Sequence, residues 1–291
     1  MRKISRLIIS VMAFVSMNSN AFADMVQIKG SDTLINLVQK MAEVYMEQNP
    51  GKMITVTGGG SGTGIASIVN GKADIANASR QMKQREIDLA VSKGISPKRI
   101  VVAIDGLSIV VHPDNPIEKM TFEDVGKIYR GEITNWKDLG GKDSPITLYG
   151  RQPNSGTYDF MMEVVMKGDY SPKMRQMNGN AQIIESIARD ESAIGYVGVG
   201  YAKETSDVKA LEIAKKAGGT YYSPFNTEDV ENGSYPISRP LNQYVNGKPT
   251  GDVLDFIKFE LSEQGQTIVE EEGFFRIPVE YEEFNSAVAG E

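Results

Sequence analysis

Cysteine is absent from all 291 residues, and histidine and tryptophan occur once each. Without cysteine there can be no disulfide and no cysteine-linked lipid anchor. A single histidine leaves no His-rich set for a metallophosphatase. No apolar run is long enough to be a membrane span: the N-terminal stretch Leu7 to Val15 is too short to cross a bilayer. No internal repeat and no low-complexity linker interrupts the chain. Basic residues are in the minority, 31 Lys and Arg against 38 Asp and Glu. An acidic chain of this kind does not invite nucleic acid or anionic membranes.

What the N-terminus does contain reads as an export signal. Arg2, Lys3 and Arg6 precede the apolar stretch, and Ala21-Phe22-Ala23 offers a small-x-small cleavage site before Asp24. An N-terminal core helix is the competing reading, but charge, length and cleavage signals agree on a signal peptide over 1–23. Cleavage after Ala23 would leave 28 basic against 38 acidic residues, a net of −10. The expected product is a soluble periplasmic protein, long enough for one large or two modest domains.

Strands and helices alternate along the rest. Met25 to Lys29 predicts a strand, followed by a helix over Leu34 to Gln48 that ends at Asn49-Pro50-Gly51. Further strands are expected at Met53 to Thr57, Ala73 to Ala76, Ile146 to Tyr149 and Ala193 to Val197, with a weak one at Leu211 to Ile213. Helices are expected after each glycine- or serine-rich turn, including one from Ser155 to Met166. Thr121, with Glu123 and Asp124 in the first turn, caps another to about Tyr129. Alternation of this sort implies an α/β fold of mostly parallel sheets flanked by helices, with ligands beyond the strand C-termini. Ile100 to Val111 is too long for one strand of one sheet and is expected to cross between two domains.

Three segments share one chemistry: Gly30-Ser31-Asp32-Thr33-Leu34, Gly58-Gly59-Gly60-Ser61-Gly62-Thr63-Gly64, and Arg151-Gln152-Pro153-Asn154-Ser155-Gly156-Thr157. Each follows a strand and enters a helix, so each presents free amides, small hydroxyls and the positive end of a helix dipole. One alone is an ordinary helix start. Three together, the last with Arg151 four residues before Ser155, point to a pocket for a small oxyanion. The glycine loop fits neither the dinucleotide spacing nor the phosphate loop of NTPases, which needs a lysine. Elsewhere the bland readings prevail. Asp74 is as well explained as a strand-end cap, His112 beside Pro113 as a surface turn, Trp136 as loop packing, and Glu270-Glu271-Glu272 as a solvated helix face.

These segments occur in order with Ala73-Asp74-Ile75-Ala76-Asn77-Ala78-Ser79-Arg80 and Gly131-Glu132-Ile133-Thr134-Asn135-Trp136. In that order the chain resembles the phosphate-binding proteins of Pst-type ABC transporters over nearly its whole mature length. The resemblance implies a two-lobed periplasmic binding protein fold of type II with the ligand in the interlobe cleft. It also implies capture of inorganic phosphate, delivery to an inner-membrane ABC permease, no cofactor, no metal and no catalysis. The expected lobes are 24–105 with 219–291, and 106–218, with the second crossing near Gly218-Gly219; a monomer is expected.

Carried over by resemblance, the ligand set is the hydroxyl and amide of Thr33, the amide of Leu34, Ser61, Ser79, the guanidinium of Arg151, Ser155, Gly156 and Thr157. Ser31, Asp32 and Arg80 stand behind it. Two positions depart from the family pattern. Better-known members carry a carboxylate after the third strand, which accepts the proton of hydrogen phosphate and so rejects sulfate. Here that place holds Ser79, followed by Arg80. Asp32 is expected to pair with Arg80, because a bare carboxylate facing an oxyanion is costly; the alternative is that Asp32 supplies the missing acceptor. Gln152-Pro153 removes an acid that often orients the arginine, so some other group must hold Arg151. Two competing functions stay open: binding of another tetrahedral oxyanion such as sulfate, and phosphate-ester hydrolysis through Ser61 or Ser155. The second lacks a Gly-x-Ser-x-Gly elbow and a well-placed base.

Overall fold

The computed structural model describes residues 25–290, so the expected signal peptide lies outside the described residues. Thirteen strands follow in chain order: β1 Met25–Gly30, β2 Met53–Thr57, β3 Ile75–Ala78, β4 Pro97–Gly106, β5 Ser108–Val111, β6 Lys119–Thr121, β7 Thr147–Arg151, β8 Arg175–Met177, β9 Ala193–Val197, β10 Lys209–Ala210, β11 Glu212–Ala214, β12 Tyr221–Tyr222 and β13 Ser238–Asn246. They form two five-stranded sheets, ordered β2-β1-β3-β13-β4 and β10-β5-β9-β7-β8, and a small sheet β12-β11-β6. Each large sheet is the centre of one lobe.

The two large sheets follow one plan. In the first, β1 pairs in parallel with β2 and β3, while β13 runs antiparallel to both β3 and β4. In the second, β7 pairs in parallel with β8 and β9, while β5 runs antiparallel to β9 and β10. One strand in each sheet therefore opposes the rest, and in both lobes it is the strand by which the chain enters from the other lobe. β3, β5 and β9 are buried along their whole length. Helices cover both faces, as continuous apolar strands require.

Crossing between lobes takes very little chain. The apolar run expected to cross does so, with only Leu107 separating β4 from β5. The expected return at Gly218-Gly219 is a different feature: it is the turn that lets β12 fold back on β11, with Gly218 at φ 74°. A Gly-Gly pair marks a tight reversal, and reversal within a small sheet satisfies it as well as a lobe crossing would. The chain re-enters the first sheet at Ser238. The two crossings touch: the Leu107 amide donates to the Ile237 carbonyl at 3.0 Å, and the Tyr235 hydroxyl donates to the Leu107 carbonyl at 2.7 Å.

Several local expectations find their elements. Thr121 caps the helix Phe122–Arg130, its hydroxyl oxygen accepting from the Asp124 amide at 3.1 Å. The helix expected from Ser155 is α-helical only over Gly156–Phe160 and continues as a π-helix over Met161–Met166. Trp136 is buried and donates from Nε1 to the Ser192 carbonyl, Asp74 just ahead of β3 accepts from the Gln27 amide within β1, and His112 Nδ1 accepts from the Asp114 amide in a turn. Among the described residues no helix is long and apolar enough to cross a membrane.

Candidate oxyanion-binding site

The C-terminal ends of β1, β3 and β7 meet where the two lobes face each other. Thr33 follows β1, Ser79 follows β3, and Ser61 opens the helix Ser61–Val69 after the glycine loop. Thr157, in the second lobe, sits in the first turn of the helix after β7. Their hydroxyls converge across the cleft. Thr157 Oγ1 lies 3.2 Å from Thr33 Oγ1 and 3.4 Å from Ser79 Oγ, which is 3.3 Å from Ser61 Oγ. All four residues are essentially buried.

The approach is close because glycine allows it. A Cβ on Gly156 would lie 2.4 Å from Ser61 Oγ and 2.8 Å from Ser79 Oγ. Gly60, at φ 88°, faces the carbonyl of Asn154, which also accepts from the Gly62 amide at 3.0 Å. Asn154 Nδ2 donates back to the Gly59 carbonyl at 2.9 Å, so the glycine loop of one lobe is stitched to the serine turn of the other.

The remaining expected residues divide into those that face the cluster and those that shape it. Ser155 is the N-cap of its helix: its hydroxyl oxygen accepts from the amides of Thr157 and Tyr158 at 3.2 and 3.4 Å, which leaves its own proton to donate. Ser31 organises the first turn, with its hydroxyl oxygen accepting from the Thr33 amide and its carbonyl from the Leu34 amide. In this conformation the two amides expected to face the ligand are therefore engaged inside their own turn.

Arg151 is almost fully enclosed, and its neighbours correct the expected pairing. Asp32 does not meet Arg80. Its Oδ2 accepts from Arg151 Nη2, its Oδ1 accepts from the Gly59 amide at 2.9 Å, and its carbonyl accepts from the Tyr201 hydroxyl at 2.9 Å. The physical reason is register: Asp32 follows the end of β1 and faces the partner lobe, where the end of β7 delivers the guanidinium. Asp32 is thus the group that replaces the missing acid at Gln152-Pro153. Arg151 Nη2 also donates to the Asn178 carbonyl at 2.7 Å. Its Nε is buried with no partner in the protein.

Arg80 goes elsewhere. Its Nη1 and Nη2 both reach Glu86 at 2.8 Å, and its Nε lies 2.8 Å from Asp159 Oδ2 in the other lobe. Lys83 Nζ adds contacts to Asp159 at 2.9 Å and Glu163 at 3.3 Å. Burial alone would push the Glu86 carboxyl up, but Arg80 and the Lys83 amide outweigh it and hold it below the usual carboxylate range.

Two further supports were not foreseen. The Arg151 amide donates to the Tyr196 hydroxyl at 2.9 Å; that hydroxyl meets Tyr170 at 2.9 Å, and Tyr170 donates to the Tyr158 carbonyl at 3.1 Å. This chain fixes the end of β7 against the helix that carries Thr157. Burial lifts the Tyr196 phenol to about 12, so it stays a neutral hydrogen-bonding group. The second support is Arg239 on β13, which meets Asp105, Ser79 and Thr157. Nothing in the local sequence Ser-Arg-Pro-Leu-Asn-Gln marks it. The one available signal was an unassigned arginine in a stretch without helical periodicity.

Comparison with known proteins agrees with this architecture. The family model of the PBP superfamily domain matches residues 17–264. The phosphate-binding protein PstS of Pseudomonas aeruginosa is 36% identical over 272 residues, covering 87% of this chain and 83% of that protein. The PstS of Staphylococcus saprophyticus is 34% identical over 259 residues, covering 86% and 79%. Among solved structures, a phosphate ABC transporter substrate-binding protein from Clostridium perfringens with bound phosphate superimposes with a TM-score of 0.78 at 31% identity, over 88% of this chain and all of that one. An ABC-type phosphate transport receptor from Vibrio cholerae gives 0.69 at 29% identity, over 87% of this chain. A two-lobed α/β fold, a hydroxyl-lined cleft and these similarities agree: the chain belongs to the PstS family of ABC-transporter substrate-binding proteins.

Proposed function

We propose that this protein captures inorganic phosphate between its lobes in the periplasm and delivers it to an inner-membrane ABC permease, acting as a monomer after loss of residues 1–23. The ligand contacts are the hydroxyls of Thr33, Ser61, Ser79, Ser155 and Thr157, the guanidinium of Arg151 and the backbone at Gly156, with the Leu34 amide joining them on release from the Ser31 carbonyl. The lobes divide at Leu107 and at Ile237, where the two crossings lie side by side. One observation carries the reading: an obligately charged guanidinium with a buried, unpartnered Nε–H is held by Asp32, the residue next to Thr33, in the same interlobe cleft as a convergent set of neutral hydroxyls. An unpartnered buried donor is costly, and an oxyanion satisfies it together with the hydroxyls. A net-acidic protein can still bind an anion here, because local donors in a shielded cleft outweigh distant charge.

The hydrolase reading has less support. A serine nucleophile needs a base. Ser61 Oγ instead accepts from the Ser79 amide at 3.0 Å. His112 follows β5, which runs against β9 and hence against β7, so it emerges at the opposite end of the sheet from Arg151. Calorimetric titration of the mature protein with phosphate, sulfate and arsenate, without added metal, tests the proposal. Phosphate binding without turnover of phosphate esters is expected. A preference for sulfate, or ester hydrolysis lost on replacing Ser61 or Ser155, would overturn it.

A further inference from the structure

Arg239 and Asp105 are a buried ion pair placed at the meeting of cleft and hinge. They stand directly opposite each other on β13 and β4, one and two residues from the crossings at Gly106-Leu107 and Ile237-Ser238. Both are enclosed, with side chains 3% and 0% exposed. Arg239 Nε and Nη2 donate to Asp105 Oδ2 at 3.0 and 2.9 Å, Nη1 donates to the Ser79 carbonyl at 3.0 Å, and Nη2 also donates to Thr157 Oγ1 at 3.0 Å. Asp105 Oδ1 accepts from the Val199 amide at 2.9 Å. The guanidinium lies 5.0 Å from the centre of the Phe160 ring.

A guanidinium donates and never accepts. Thr157 Oγ1 therefore receives a hydrogen bond from Arg239, and its own proton must point away, toward Thr33, Ser79 or a ligand oxygen. Ser61 is set in the same way, because its oxygen already accepts from the Ser79 amide. Two of the four clustered hydroxyls thus have one lone pair taken and their protons turned toward the cluster before any anion arrives. The Ser79 and Thr33 oxygens, which accept no such backbone or guanidinium bond, are the better placed to receive the proton of a protonated oxyanion. The pair is neutral as a unit, so it orients donors without adding net charge, unlike Arg151.

The contacts also cross the cleft. Thr157 and Val199 belong to the second lobe, whereas Arg239 and Asp105 belong to the first sheet. We propose that Arg239, held by Asp105, is a positioning residue for anion binding: on lobe closure it fixes the Thr157 hydroxyl as a donor to the bound oxyanion. This rests on the phosphate-binding reading above and assigns the pair a role in that site.

The test is a double-mutant cycle read by phosphate titration. Arg239→Lys keeps the charge but cannot reach Asp105, Ser79 and Thr157 together. Arg239→Lys and Thr157→Val should each weaken phosphate binding about tenfold or more, and the double variant should be no weaker than the worse single one. Full parental affinity in Arg239→Lys, or losses that multiply in the double variant, would overturn the proposal. Should Arg239→Lys melt before it can be titrated, Asp105→Leu with Arg239→Met removes both charges and leaves none unpaired. That variant should fold and lose affinity to the same extent, and parental binding by it would equally overturn the assignment. Failure of the parent itself to bind phosphate would strike the underlying reading instead.

Discussion

Ion pairs around the cleft lie at two depths, one of the inner pairs crossing between the lobes and the other bracing the first sheet, and depth decides what each can do. Inside the cleft, Arg151 meets Asp32 and Arg239 meets Asp105, with both guanidiniums nearly free of solvent. At the rim, Arg80 and Lys83 of one lobe meet Asp159 and Glu163 of the other, and exposure rises from 8% at Arg80 to 55% at Glu163. Cation meets carboxylate in both places. Buried pairs are expensive to break and hold one geometry, whereas pairs open to water contribute little and are weakened by salt. On the proposed reading the inner pairs set ligand geometry, and the rim cluster biases closure without fixing any ligand atom.

Replacing the inner cation is the hardest blow to this contrast. Arg151→Ala should cost at least about 1.5–3 kcal/mol of phosphate binding, one to two decades in Kd, and Arg151→Lys should recover only part. Isothermal titration checks it; unchanged affinity would dissolve the site assignment.

A buried carboxyl with no cation sharpens the same contrast. Glu260 lies under the first sheet, wholly buried, with only Gln243 Nε2 donating to its Oε1 at 2.9 Å. Burial raises its pKa to about 8, and the Gln243 contact offsets only part. The folded state thus holds a proton that the unfolded chain releases near its ordinary pKa. The stabilisation is complete below that value and is lost as pH rises toward about 8, at up to roughly 1.4 kcal/mol per pH unit. Thermal melts from pH 5 to 9 should show the parent losing ground to Glu260→Gln as pH rises. A constant gap between the two would refute it.

Closing distance comes next. Gly156→Ala places a Cβ against Ser61 Oγ at the point of tightest approach. Overpacking of that kind costs about 1–3 kcal/mol. Phosphate affinity should fall, and small-angle scattering should show less compaction with ligand than the parent shows.

The smallest effect belongs to the rim. Glu163→Gln, at the exposed end of the cluster, should weaken binding by at most about 0.5–1 kcal/mol and flatten the salt dependence of parental affinity. A loss as large as that of Arg151→Ala would abolish the distinction between the two depths.

Residues near one another in sequence were legible, and residues joined by register were not. The three Ser/Gly/Thr turns, Arg151, the caps and the lobe-crossing run all follow from local pattern, because a helix start or a crossing strand leaves its mark within ten residues. β13 left none. Its Asn242 and Gln243 are buried polar residues bonded to neighbouring strands and to Glu260, so apolar alternation fails where it would have announced a strand. With β13 unread, Arg239 and its pairing with Asp105 were out of reach. The cost of a bare carboxylate facing an oxyanion gives Asp32 a cationic partner without saying which cation it is. Which guanidinium stands opposite depends on how two lobes face each other, which no local spacing encodes.

The paired crossings at Leu107 and Ile237 have a mechanical meaning. A door hung on one pin can swing and also sag; two adjacent pins leave it a single swing. With the crossings tied amide to carbonyl, the closure of the proposed reading would follow one easy path from lobes apart to lobes together. A transporter meeting this protein then need not inspect the anion itself. The spacing between one lobe and the other, a single coordinate, carries the message that the cleft is loaded.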